Sequence, residues 1–345
     1  MLDKKVGYAI MKADQTINIP KKEILIMYYV GVDLGGTNIA VGIVDESKKI
    51  VSKGSVPTCA SRDGELIIKD MAALVEKLLK NSNIPLSEVA YVGIATPGTV
   101  DDKNGIVERC YNLPFDHFPI AEIFQRYLPG KPVFVANDAN AAALGEAVAG
   151  AARGSRNSVT ITLGTGVGGG IIIDGKIYSG SNGAAGELGH IVIKFNGRQC
   201  TCGRRGCWEA YSSATALSAV TKEKVLECDI KGIPSLMVDD YKANGKVSAR
   251  TAFAAMKKGD KIASGVVDYY IEHLACGIAS IINIFQPDII CIGGGICNEK
   301  GYLLDPLNEL VEREQYTRAN PVKCKIAVAE LGNDAGIIGA ACLGL

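Results

Sequence analysis

The chain of 345 residues carries 37 Lys and Arg against 37 Asp and Glu, a formal net charge of zero, and 48% of it is hydrophobic. That balance excludes a charge-extended disordered protein and argues against a general nucleic-acid binder, which needs a basic face. At roughly 150 residues per domain the length predicts two domains, each able to bury its own core. No uncharged apolar run reaches the ~18 residues a membrane helix needs. Lys12 and Asp14 interrupt the N-terminal stretch before a signal cleavage site could follow, so the chain reads as cytosolic. Most of the eleven cysteines, such as Cys276, Cys291 and Cys342, stand alone in apolar stretches and read as small hydrophobes.

Residues 1–26 show no clear period and are expected to be a disordered extension or a misassigned start. The run from Tyr28 to Asp33 predicts a buried strand, Gly35-Gly36-Thr37 a turn, and Ile39 to Val44 a returning strand. Glu65 to Asn81 has near-helical apolar spacing, and Val89 to Ala95 is a strand stopped by Pro97-Gly98. Val133 to Ala136 is a further strand, and the alanine-rich stretch Ala139 to Ala152 a helix. A second glycine-tipped hairpin follows: residues 162–174 can be laid over residues 33–45 without a gap, which predicts an internal duplication. Leu274 to Phe285 reads as a buried helix broken by Pro287, Ile289 to Ile292 as a strand, and Ala335 to Leu343 as a closing helix. Strands and helices alternate in both halves, which predicts an α/β fold with the site in the crevice between them.

The turn Gly35-Gly36-Thr37-Asn38 can present backbone N–H groups and a hydroxyl to phosphate oxygens, and Gly164-Thr165-Gly166 offers the same from the other half. A single such turn is more often an ordinary hairpin tip; two in corresponding places suggest a phosphate clamp. Neither is a Walker A loop, since no Gly-Lys-Ser/Thr follows. Asp33, at a strand end before the first turn, is placed to hold Mg²⁺. Asp138 also ends a strand, where either it or Asn137 could simply cap the next helix. If a hydroxyl attacks a γ-phosphoryl group, Asp138 can accept its proton while Asp33 serves the metal.

His190, Cys200, Cys202 and Cys207 form the sharpest cluster. Three thiolates and an imidazole complete a closed tetrahedral zinc shell, which would be structural; free thiols in a loop are the alternative. The Gly- and Arg-rich loop around them also admits a nucleic-acid knuckle, against which stand the neutral charge and the single Trp208. Glu187 and Glu209 flank the loop, where they could accept hydrogen bonds from substrate hydroxyls.

Taken together, Asp33-x-Gly-Gly-Thr37, Gly164-Thr-Gly166, Glu187-x-Gly-His190 and Cys200-x-Cys-Gly-x-x-Gly-Cys207-x-Glu209 resemble the ROK family of sugar kinases and sugar-responsive repressors, from about Tyr28 to the end. The resemblance implies two ribonuclease-H-like domains of the actin-like ATPase type around a cleft, with ATP, Mg²⁺ and a hexose bound there. It divides the chain into 27–138 plus 335–345, a smaller domain, and 139–334, a larger one carrying the zinc loop. It also implies that Asp138 is the general base for a sugar 6-hydroxyl. Asn112, Asn137, Glu187, His190 and Glu209 would then touch sugar hydroxyls, with Gly98 lining the same pocket. His190 would do this while also ligating zinc, and Gly293, Gly294 and Gly295 would lie near the adenosine. Within the family the chain looks most like glucokinases. Kinases for fructose, N-acetylglucosamine, N-acetylmannosamine or allose share the frame, and a non-catalytic sugar sensor is the rival reading. Dimers or tetramers are implied as well, with no nucleic-acid or membrane partner.

Overall fold

The structure, a computed structural model, describes residues 27–345; the extension expected over 1–26 lies outside the described residues. The described residues form thirteen strands: β1 (Tyr28–Leu34), β2 (Asn38–Val44), β3 (Ile50–Pro57), β4 (Val89–Thr96), β5 (Thr99–Asp101), β6 (Ile106–Arg109), β7 (Asp116–Phe118), β8 (Val133–Asn137), β9 (Ser158–Leu163), β10 (Val167–Ile173), β11 (Lys176–Ile177), β12 (Ile289–Gly293) and β13 (Lys325–Val328). They form two five-stranded sheets, in the orders β3-β2-β1-β4-β8 and β11-β10-β9-β12-β13, and a small three-stranded one from β5, β6 and β7.

The two large sheets have the same plan. Each opens with an antiparallel hairpin whose first strand then pairs in parallel with a later strand. The parallel strands are buried on both faces, which explains why Val30, Val32, Ile161, Ile290 and Ile292 run as near-continuous apolar sequence. The expected duplication thus appears as repeated topology, with one difference. Leu34 pairs with Ile39 across a four-residue turn, whereas Leu163 pairs with Val167 across three residues. The ungapped overlay of the sequences is therefore out by one residue in β-register, and the two turns have different shapes.

Two helices join the sheets. Helix Asp138–Ala149 leaves β8 of the first sheet and packs on β9, β10 and β11 of the second, while helix Ala335–Ala341 follows β13 and packs back on β1, β2 and β4 of the first. Their mutual contact is backbone to backbone: a Cβ on Gly339 would fall 1.7 Å from the Ala141 carbonyl oxygen, and one on Gly145 2.4 Å from that of Ala335. Gly31 and Gly93 give the closing helix equally close seats, with hypothetical Cβ atoms 1.9 Å from the Ile337 oxygen and 1.8 Å from the Ala340 oxygen. No side chain fits at these positions, so the junction between the halves depends on glycine.

Between β11 and β12 the second half inserts the cysteine loop and five helices: Glu209–Ser212, Ala214–Lys231, Leu236–Asn244, Ala249–Met256 and Lys261–Phe285. The last begins 13 residues before the expected Leu274, with Asp260 capping its N-terminus, and stops at Phe285, where Gln286 turns left-handed (φ 43°) ahead of Pro287. It is long and apolar enough to cross a membrane, although Asp268 and Glu272 interrupt its apolar run as the sequence reading expected. Its apolar residues, among them Val266, Tyr270, Leu274, Ile278 and Ile282, are buried in the core under the second sheet. The expected helix over Ala139 to Ala152 begins at Asp138 and ends at Ala149. Cys291 and Cys342 are buried as expected, but Cys276 lies exposed.

Candidate active site

Spacing alone left open whether Asn137 or Asp138 caps the helix after β8. In the structure Asn137 caps it, its Oδ1 accepting from the N–H groups of Ala139 (2.9 Å) and Asn140 (3.2 Å) while its Nδ2 donates to the Gly98 carbonyl (3.1 Å). Gly98 itself sits at φ +100°, where a Cβ would lie 2.3 Å from the Arg109 oxygen. With the capping role filled, Asp138 takes the first helical position, and its Oδ1 accepts the Ala139 N–H at 2.8 Å. Burial pushes its carboxyl above the usual range, and the hydrogen bonds from Ala139 and Asn137 offset this in part.

Asp33, the penultimate residue of β1, lies beside it. Burial, with the Asp138 carboxylate as second cause, pushes the Asp33 carboxyl up to about 6. Gly336 of the closing helix makes room for it, since a Cβ there would stand 2.5 Å from Asp33 Oδ2. Two half-buried carboxylates, one of which raises the other's cost of ionisation, fit a site for a divalent cation, whose charge would relieve both.

A cleft of about 930 Å³ opens between the halves. Asp138 and Asn112 border it from one side. Gly164, Thr165, Gly166, Glu187, His190 and Glu209 border it from the other, with Gly293, Gly294 and Gly295 beyond them. Gly294 (φ +107°) would place a Cβ 2.2 Å from the Leu163 oxygen, so the third glycine run lies against the end of β9, next to the Gly164–Gly166 turn. The first turn, Gly35–Asn38, is not among the bordering residues. It lies at the tip of β1 and β2, with Gly36 against Asn112 (3.7 Å from a hypothetical Cβ). Asn137 and Gly98 are likewise outside the cleft lining; Asn137 borders a separate cavity with Asn140 and Lys176.

The cysteine loop folds back on itself through the bridges Val192 to Cys207 and Gln199 to Arg205. It brings His190, Cys200, Cys202 and Cys207 together, with one donor atom of each within 4.8 Å of all the others. Cys202 Sγ and Cys207 Sγ are 3.7 Å apart, and so are Cys200 Sγ and His190 Nδ1. Thiolates bound at about 2.3 Å around a tetrahedral zinc ion lie about 3.8 Å from one another, so both the donor set and its spacing fit zinc. Since Nδ1 faces the sulfurs, His190 keeps Nε2 for the cleft, 4.0 Å from Glu187 Oε2. Trp208 anchors the loop from below: its Nε1 donates to the His273 carbonyl (3.0 Å), and its ring occupies space opened by Gly277.

Glu209 ties the loop to the second glycine turn. Its Oε2 accepts the Val167 N–H at 3.0 Å, its Oε1 accepts from Thr201 at 3.4 Å, and a Cβ on Gly166 would meet Oε2 at 2.2 Å. A residue missed in the sequence reading, Glu146, also borders the cleft. It is only 1% exposed, and its carboxylate accepts three backbone N–H bonds, from Ala151 (2.9 Å), Glu330 (3.1 Å) and Leu331 (2.9 Å). The signal available was an acid near the end of a helix that is otherwise small and apolar beyond its first turn.

The ROK family profile matches residues 29–345. The chain belongs to the ROK family. It is 39% identical to a glucokinase of Thermotoga maritima over 90% of this chain and 95% of the relative. It is 37% identical to a glucokinase of Halalkalibacterium halodurans, over 90% of this chain and 93% of the relative. A crystal structure of a ROK family glucokinase from Streptomyces griseus, in complex with glucose and AMPPNP, superposes with a TM-score of 0.73 at 34% identity, covering 92% of this chain and 98% of that one. The two-domain α/β fold of the actin-like ATPase type follows from these relations.

Proposed function

We propose that this chain is an ATP-dependent hexose kinase, a phosphotransferase to an alcohol group, acting on the 6-hydroxyl of D-glucose. The observation that carries the reading is the release of Asp138 from capping duty into a cleft whose opposite wall is built from Glu187, His190 and Glu209. Glucokinase relatives on both the sequence and the structural side support glucose and ATP as the substrates.

In this reading Asp138 accepts the proton of the sugar 6-hydroxyl. The oxygen forms its bond to the γ-phosphorus as the bond from that phosphorus to the ADP oxygen breaks. Its raised pKa brings the carboxylate nearer to the proton it must take. Glu187, Glu209 and the Nε2 edge of His190 orient sugar hydroxyls, with Asn112 and Asn137 from the other half and Gly98 behind them. Gly35, Gly36, Thr37 and Asn38 together with Thr165 and Gly166 offer N–H and hydroxyl donors to the phosphates, and Gly294 and Gly295 flank the adenosine. Asp33 would hold Mg²⁺, which supplies neutralisation of phosphate charge when bound. His190, Cys200, Cys202 and Cys207 would hold a structural zinc ion that fixes the His190 ring. The domains are taken as 27–138 plus 335–345 and 139–334, working in the cytoplasm as a dimer or tetramer with no nucleic-acid partner.

The test is a phosphorylation assay over glucose, fructose, mannose, allose, N-acetylglucosamine and N-acetylmannosamine with ATP. Glucose is expected to have the highest kcat/KM. A higher value for an N-acetylhexosamine would move the specificity assignment, and no ATP consumption with any sugar would sink the kinase reading.

A further inference from the structure

We propose that Thr58 is a positioning residue that sets the first glycine turn for phosphate; the inference rests on the kinase reading of that turn. Thr58 follows directly on β3 and is fully buried. It holds the turn by two hydrogen bonds: its Oγ1 donates to the Gly35 carbonyl at 2.6 Å, and its N–H donates to the Thr37 carbonyl at 2.8 Å. The Gly35 N–H in turn donates to the Asn38 carbonyl at 2.9 Å, so three carbonyls of the turn are consumed on its inner side.

Because a trans peptide points its C=O and N–H in opposite directions, fixing the Gly35 carbonyl on Thr58 aims the Gly36 N–H away from it. Neither that N–H nor the Thr37 N–H meets an acceptor among the described residues. Those are the donors a phosphate cradle needs, and Gly36 stands beside Asn112, which borders the cleft. Thr58 is itself braced: Arg62 Nε donates to its carbonyl at 3.1 Å, and the same guanidinium pairs with Asp70 of helix Gly64–Asn81 at 2.6 Å. The turn thus rests on a chain of contacts that ends on helix Gly64–Asn81.

The experiment compares wild type with Thr58→Val, Thr58→Ala and Thr58→Ser, measuring calorimetric affinities for AMPPNP and for glucose alongside kcat with ATP. Valine keeps the shape and removes the hydroxyl, leaving the Gly35 carbonyl without its partner. AMPPNP affinity should fall about tenfold, the worth of one buried hydrogen bond. Alanine should show the same loss, serine should restore affinity to within about twofold, and glucose affinity should hold in all three. Unchanged AMPPNP affinity in the valine and alanine variants, or an equal loss in the serine variant, would overturn the proposal. So would glucose affinity falling in step with that for AMPPNP. A wild-type chain that binds AMPPNP but turns over no sugar would refute the kinase reading and leave the affinity comparison to decide on Thr58. One that binds no nucleotide would refute both.

Discussion

Removing the Asp33 carboxylate near the end of β1 should stabilise the ligand-free protein while disabling it. The Asp33 carboxyl is pushed from 3.8 to about 6 by burial and by Asp138. At about 1.4 kcal/mol per pKa unit, that shift corresponds to roughly 3 kcal/mol. The folded pKa lies above the unfolded one, so between pH 3.8 and about 6 the native state keeps a proton that the unfolded chain has released. Stability therefore falls as pH rises through that window, and the penalty is fully present above it. Asp33→Asn should resist urea better than wild type at pH 8, by up to about 3 kcal/mol, and the advantage should shrink to nothing by about pH 4. Adding Mg²⁺ at pH 8 should stabilise wild type more than the variant, because one of the two charges that attract the cation is gone. Equal stability at pH 8, or an advantage that grows towards acid pH, would refute the reasoning.

Glu146→Leu should destabilise the fold by at least about 3 kcal/mol in urea titrations, because it orphans three buried N–H donors that each cost about 1 kcal/mol or more. An unchanged midpoint would show that these donors find water instead. Elemental analysis should find one zinc ion per chain in wild type and none in Cys202→Ala, which should melt earlier and bind glucose more weakly. Burial pushes the Cys207 thiol up to about 12, so its deprotonation on metal binding makes zinc affinity fall as pH is lowered; retention of zinc unchanged to pH 5 would contradict the ligand set.

What could be read from sequence followed from the range of the physics involved. The metal quartet was visible because ligand identity and spacing are local properties, and the hairpins because apolar runs bounded by glycine leave few alternatives. Their difference in register was not visible, since a one-residue change in a turn depends on how Gly35 and Gly164 close, at Asn38 and Gly166 respectively. Helices Ala214–Lys231 and Leu236–Asn244 escaped notice because their apolar residues do not gather on one face, and their packing comes from the long helix Lys261–Phe285 and its neighbours. Asn137 and Asp138 were equivalent as caps on paper; only the chain's entry into the helix separates them. Thr58 and Glu146 act on backbone carbonyls and N–H groups up to 185 residues away, and no pattern of side chains announces such partners.

Asp138→Asn tests the role of proton acceptor most directly, since it keeps the shape of the side chain and removes its charge. Glucose affinity measured by calorimetry should stay within about threefold of wild type while kcat with ATP falls by about 10²–10⁴-fold. A variant that binds glucose normally and turns over at close to the wild-type rate would contradict it.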